Sequence, residues 1–271
     1  MPDTQPDTPP ATPLDAAHAA MEADPDNDAA RLRFYERLAD AEVFLLLDRE
    51  PLGDDLSPRV FDLDDGPVVL IFDLEERLAA FTGSTAPYGA LPGRVVAQVL
   101  AGQGVGLGLN LGVAPSAMIL PPDGLDWLAA TLQTLPAQVT GAPRSFHAPK
   151  GLPDALLQGL AARLDRSGPL ATTALLAGVT YQDGRRGHML AFVGARAGAE
   201  DALARAAAEA LTFSGVEAGE MDVTFLAPDA TAVTNMARFA LRFDLPVAVT
   251  PAEPAAPKAP GSDPDRPPIL R

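Results

Sequence analysis

The chain has 271 residues, a formal charge of −16 and a sequence pI near 4.4. That balance argues against nucleic acid and anionic membrane surfaces as partners, because both draw affinity from clustered Lys and Arg, and the densest local pairs, Arg31/Arg33 and Arg185/Arg186, are too small to form a phosphate-binding stripe. The absence of cysteine excludes disulfides, thiolate catalysis and thiolate zinc sites.

A chain of this length with 47% hydrophobic and 21% charged residues predicts a globular protein of two modest domains. The opening MPDTQPDTPP carries acid and proline where a secretory signal needs basic residues and an apolar run, so the cytoplasm is the expected compartment. Residues 1–13 and 249–271 are rich in proline, acid and small residues and are expected as disordered tails.

The first domain is expected over residues 14–134. A helix runs from Leu14 to about Ala23, and Asp26, Asn27 or Asp28 caps a second that carries Leu32, Phe34, Tyr35, Leu38 and Ala39 at helical spacing. A calcium loop starting at Asp24 fails, with Ala29 and Tyr35 where glycine and glutamate are needed. Val43 to Leu47 reads as a strand buried on both faces. Two strands flank Asp64-Asp65-Gly66 as a hairpin, and this turn chemistry accounts for Asp62, Asp64 and Asp65 better than a metal cluster with Asp73, since no histidine accompanies them. Helices follow at Leu74 to Phe81 and Leu91 to Ala101, then a glycine-rich strand, a strand at Ser116 to Leu120, and a helix from Pro121 to Leu132.

Residues 135–151 are expected as a linker, with one strand-like piece at Ala137 to Thr140. The second domain, residues 152–248, reads as a helix (Pro153 to Leu164), two strands (Ala171 to Tyr181 and His188 to Gly194) around Asp183-Gly184, an alanine-rich helix (Ala199 to Leu211), a strand (Met221 to Leu226) and a final helix (Pro228 to Phe243). The fold class is therefore α+β: two domains, each a mainly antiparallel or mixed sheet covered by helices.

No serine has the glycines of a nucleophile elbow, and His18, His147 and His188 form no metal-binding pair. No catalytic residue, metal or cofactor is assigned. The uncharged interval between Arg94 and Asp123 holds Gly102, Gly104, Gly106 and Gly108. It matches neither a dinucleotide fingerprint nor a phosphate loop. A membrane span is opposed by Gln98, Gln103, Asn110, Pro115 and the dense glycine. Period two places the four glycines on one bare strand face, suited to close packing or to a groove for a ligand or peptide. Asn110, Tyr88, Arg94 and Trp127 are the nearby residues best able to contact a partner.

Taken together, RLRFYERLADAEVFLLL, VLIFDLEERLAAF and GLGLNLGVAPSAMILPPDGLDWLAATL resemble the N-terminal domain of the SseB family, named for enhanced serine sensitivity. Residues 152 to about 245 look like the C-terminal domain that often accompanies it. The resemblance implies a cytoplasmic bacterial protein of α+β architecture without established catalytic activity. The family's Asn-Pro-Gly stands here as Asn110-Leu111-Gly112, which keeps the turn-forming ends and loses the proline.

The leading expectation is a non-enzymatic interaction or regulatory module, monomer or homodimer, with a protein or peptide partner. The rival is a small-molecule (amino-acid) binder or enzyme linked to serine metabolism, using Arg94 or Arg144 for a carboxylate. An immunity-type protein that neutralises a toxin is a third reading, consistent with the acidic charge.

Overall fold

A computed structural model describes residues 11–246 apart from 52, 54, 55, 134–142 and 216–220. The first half runs α1 (Pro13–Ala23), α2 (Asp28–Asp40), β1 (Glu42–Leu46), β2 (Val60–Leu63), β3 (Gly66–Phe72), α3 (Glu75–Thr82), β4 (Tyr88–Pro92), α4 (Gly93–Leu100), β5 (Gly106–Leu109), β6 (Met118–Leu120) and α5 (Pro122–Gln133). The sheet has the order β4-β1-β3-β5-β6, with β2 added beside β3. Its pairings are antiparallel except β3 with β5, which run parallel.

Local chemistry explains the ends of these elements. Thr12 caps α1 in a reciprocal box with Asp15, with Pro13 in the first turn. Of the three capping candidates before α2, Asn27 is the one used, its side chain accepting from the Ala30 amide. The apolar run of β1 is buried on both faces: Val43, Leu45 and Leu47 join the main core beneath α1, α2, α4 and α5, while Leu46 joins Val68, Leu70, Phe72 and Leu78 on the face that α3 helps to cover.

The second half runs β7 (Pro143–His147), α6 (Asp154–Arg166), β8 (Thr173–Tyr181), β9 (Arg186–Val193), α7 (Glu200–Phe213), β10 (Met221–Leu226), α8 (Thr231–Ala237) and β11 (Leu241–Asp244). Its sheet has the order β10-β9-β8-β11, with β7 also on β8, and only β9 and β10 run parallel. One face is covered by α6 and α7 around Leu156, Leu160, Phe192 and Leu203; the other holds Leu175, Val179, Tyr181, Met189 and Met236, the last from α8. The α+β class and the two sheet-containing domains are thus as the pattern of elements implies. No helix among the described residues is long and apolar enough to cross a membrane.

Five expectations need correction. The N-terminal tail does not extend to residue 13, because Thr12 caps α1 and its hydroxyl donates to Asp73 at 2.6 Å. The helix expected from Leu91 starts two residues later, since Tyr88–Pro92 pairs along the whole of β1. The expected linker contains β7, which is part of the second sheet; the piece expected at residues 137–140 lies outside the described residues. The expected final helix stops at Ala237, and Leu241–Asp244 pairs instead with the first half of β8, the Thr173 hydroxyl donating to the Phe243 carbonyl at 2.7 Å.

The fifth correction concerns the glycines. Gly102 and Gly104 have φ of 74° and 68° and form the turn after α4, so only Gly106 and Gly108 lie in a strand. Nor is the face of Gly108 open. A Cβ there would lie 2.6 Å from a Leu70 methyl and 2.8 Å from a Leu111 methyl, both from the chain's own side chains. The face of Gly108 is packing, filled by Leu70 and by Leu111, the middle residue of the Asn-x-Gly turn.

Gly93 marks a tighter approach. A Cβ on it would stand 1.9 Å from the Leu38 carbonyl oxygen of α2, where backbone cannot yield. Gly93→Ala is expected to cost about 3 kcal/mol or more in denaturant unfolding, against about 1 kcal/mol for Gly104→Ala, which faces open space and suffers only its left-handed φ.

Candidate functional site

The four residues singled out as contacts sit on separate elements. Asn110 follows β5 and is fully buried. Its φ of 48° makes it the sole non-glycine residue with positive φ among those described, a conformation that asparagine tolerates better than most. Its Oδ1 accepts from the Asp73 amide at 3.2 Å and its Nδ2 donates to Ser116 Oγ at 2.9 Å, so it holds the fold from inside. Tyr88 packs edge-on against Phe44, and a hydrogen bond with Glu75 raises its phenol above the usual range. Trp127 on α5 lies against the Tyr35 ring of α2, centroids 5.2 Å apart, and remains 40% exposed. Arg144, the other arginine considered for a carboxylate, is exposed on β7.

Asn110 belongs to a buried polar network that spacing alone did not reveal. Arg77, 2% exposed, donates to Asp15 at 3.0 Å and to Asp73 at 2.7 Å, while Ser116 donates to Asp15. These contacts tie α1, α3, the end of β3 and the turn after β5 to one another. Asp73 therefore faces inward to an arginine, while Asp62, Asp64 and Asp65 serve the hairpin. Burial pushes the Asp15 carboxyl up, but hydrogen bonds from Arg77, Ser116 and Thr12 and the charge of Arg77 outweigh it and hold the group far below the usual carboxylate range.

Arg94 opens onto a second network, between the two domains. It spans Asp40 of α2 and Glu209 of α7, reaching the Glu209 oxygens at 3.2 and 3.3 Å. Arg163 of α6 is 6% exposed; it binds Glu209, lies 3.2 Å from Glu36, and rests over the Phe213 ring at 5.6 Å. Arg166 reaches Asp40 at 2.7 Å. Above these groups opens a cleft of about 590 Å³, whose wall also includes Arg205, Gly198 and Asp201. Sequence reasoning found Arg94 and missed the rest. Two signals were present: Arg163 falls three residues after Leu160 on the buried face of α6, and Glu209 interrupts the alanines of α7.

Residues 14–127 match the family model for the SseB protein N-terminal domain. The N-terminal half of the chain is an SseB domain. No curated protein and no solved structure matches the chain. The matched stretch ends at Trp127, inside α5, so the SseB domain contributes Asp40 and Arg94 to the seam, and the second half contributes Arg163, Arg166, Arg205 and Glu209. In the Asn-x-Gly turn of this SseB domain, Asn110 is a buried joint, Leu111 is half-buried and Gly112 is exposed.

Removing one partner of a buried ion pair strands the other, so Glu209→Ala is expected to cost about 3–5 kcal/mol in chemical denaturation. The Asp15 pKa is lowered in the folded state; its contribution is therefore complete above about pH 4, the unfolded value, and is lost as pH falls toward the folded value. Between about pH 4 and pH 2, the wild-type chain should lose stability more steeply than Asp15→Asn, as followed by urea midpoints.

Proposed function

We propose that the chain is a non-enzymatic interaction or regulatory module, acting in the bacterial cytoplasm without a cofactor, as a monomer or homodimer. Its partner is a protein or peptide that docks on the helical face of the SseB domain at Trp127. We further propose that the second half is the SseB C-terminal domain. The observation that carries the reading is the setting of Trp127, the single tryptophan of the chain: 40% exposed and backed by Tyr35. Tryptophan is the side chain most often found to dominate a protein interface, because its large rigid surface is buried at low entropic cost. The polar residues Asp15, Asp73, Arg77, Asn110 and Ser116 support the same reading, since they bind one another rather than face a substrate.

Native affinity capture tests it, with wild-type chain and Trp127→Ala as baits. Wild type should retain a stoichiometric protein partner, and the variant should bind it about 30-fold more weakly, or about 2 kcal/mol, with an unchanged circular dichroism spectrum. A wild-type bait that retains no stoichiometric partner, or a variant that retains it equally well, defeats the reading.

A further inference from the structure

We infer that the cleft between the domains is a binding site for the phosphoryl group of a small anion. The inference starts from a cluster of arginines, one of which is left unpaired. In a chain with a formal charge of −16, four arginines converge on one cavity: Arg94, Arg163, Arg166 and Arg205. Asp40, Glu36 and Glu209 answer the first three. Arg205 is answered by nothing: among the described residues it has no ion-pair or hydrogen-bond partner.

A further observation points into the same space. The 14-residue helix α7 begins at the cleft with Gly198 and Ala202 in the wall, and no side chain caps its first turn. Amides at a helix start point outward and carry partial positive charge, which suits a tetrahedral oxyanion. Guanidinium forks supply the complementary donors.

The wall also limits what the anion carries. Gly198, Ala202 and Ala206 offer no aromatic platform and no acyl channel, so a nucleobase or lipid tail has nothing to rest on. Asp201 lies in the wall and is exposed, which disfavours an extended polyanion. The occupant is therefore inorganic phosphate or a small polar phosphomonoester. Arg205 and the half-exposed Arg166 bind it directly, and Arg94 and Arg163 hold the floor. This inference is independent of the Trp127 surface.

Thermal unfolding of the full chain, titrated with inorganic phosphate or glycerol 3-phosphate at constant ionic strength, tests the site. A saturable rise in Tm of a few degrees is expected. Tighter binding of glycerol 3-phosphate identifies a phosphomonoester site, and tighter binding of inorganic phosphate identifies the free ion. Arg205→Ala should weaken the response at least ten-fold. Arg242→Ala, remote on β11, and Trp127→Ala should leave it intact. No saturable rise with either probe, an equal response in Arg205→Ala, or an equal rise with malonate would overturn the assignment.

Discussion

A charge taken out of water must meet an opposite charge or it will not stay ionised. Glu209, 2% exposed near the end of α7 and as deeply buried as Arg77, is under that constraint, and Arg163 at 6% is its counterpart on α6. Satisfying Glu209 requires α4 to bring Arg94 as well, and satisfying Arg163 requires α2 to bring Glu36. Two helices from each domain are thereby held in one arrangement. Such pairs add little net stability over apolar packing, yet they tolerate few alternatives, because a displaced domain would leave several buried charges unpaired. Directional bonds therefore define the seam more tightly than contact between helices could.

The same logic operates within the SseB domain. Arg77 gathers Asp15 from α1 and Asp73 from the end of β3, and Ser116 and Asn110 complete the set. The left-handed backbone at Asn110 turns the chain so that its amide reaches inward. The two halves also share a plan. Each has an antiparallel hairpin extended by a parallel strand, β3 to β5 through α3, β4 and α4 in the first and β9 to β10 through α7 in the second.

Much of this was visible in the sequence, for a physical reason. Helices and hairpins rest on local periodicity and turn chemistry, and α2, α6, α7 and the Asp64-Asp65-Gly66 hairpin lie where those signals place them. Short strands that depend on distant partners were not visible: β4 exists because β1 has a free edge, and β11 because β8 does. Glycine was ambiguous for a different reason. The same residue forms a left-handed turn at Gly102 and Gly104 and a packed strand at Gly106 and Gly108, and spacing cannot distinguish φ. The site was hidden because its charges are far apart in the chain. A glutamate among alanines or an arginine beside core leucines shows that a partner is needed, without showing which one.

Phe213 has a consequence for where one domain ends. It belongs by sequence to α7 of the second half, yet it packs in the main core of the first, among residues such as Phe34 and Leu128. The boundary of the SseB match, at residue 127, is therefore not a boundary of cooperative folding. A fragment cut near residue 133 would lose an aromatic plug from its own interior and expose the helices that had closed over it. Family limits drawn by sequence similarity and autonomous folding units are different partitions of this chain, and expression of the matched segment by itself would sample a less well packed molecule.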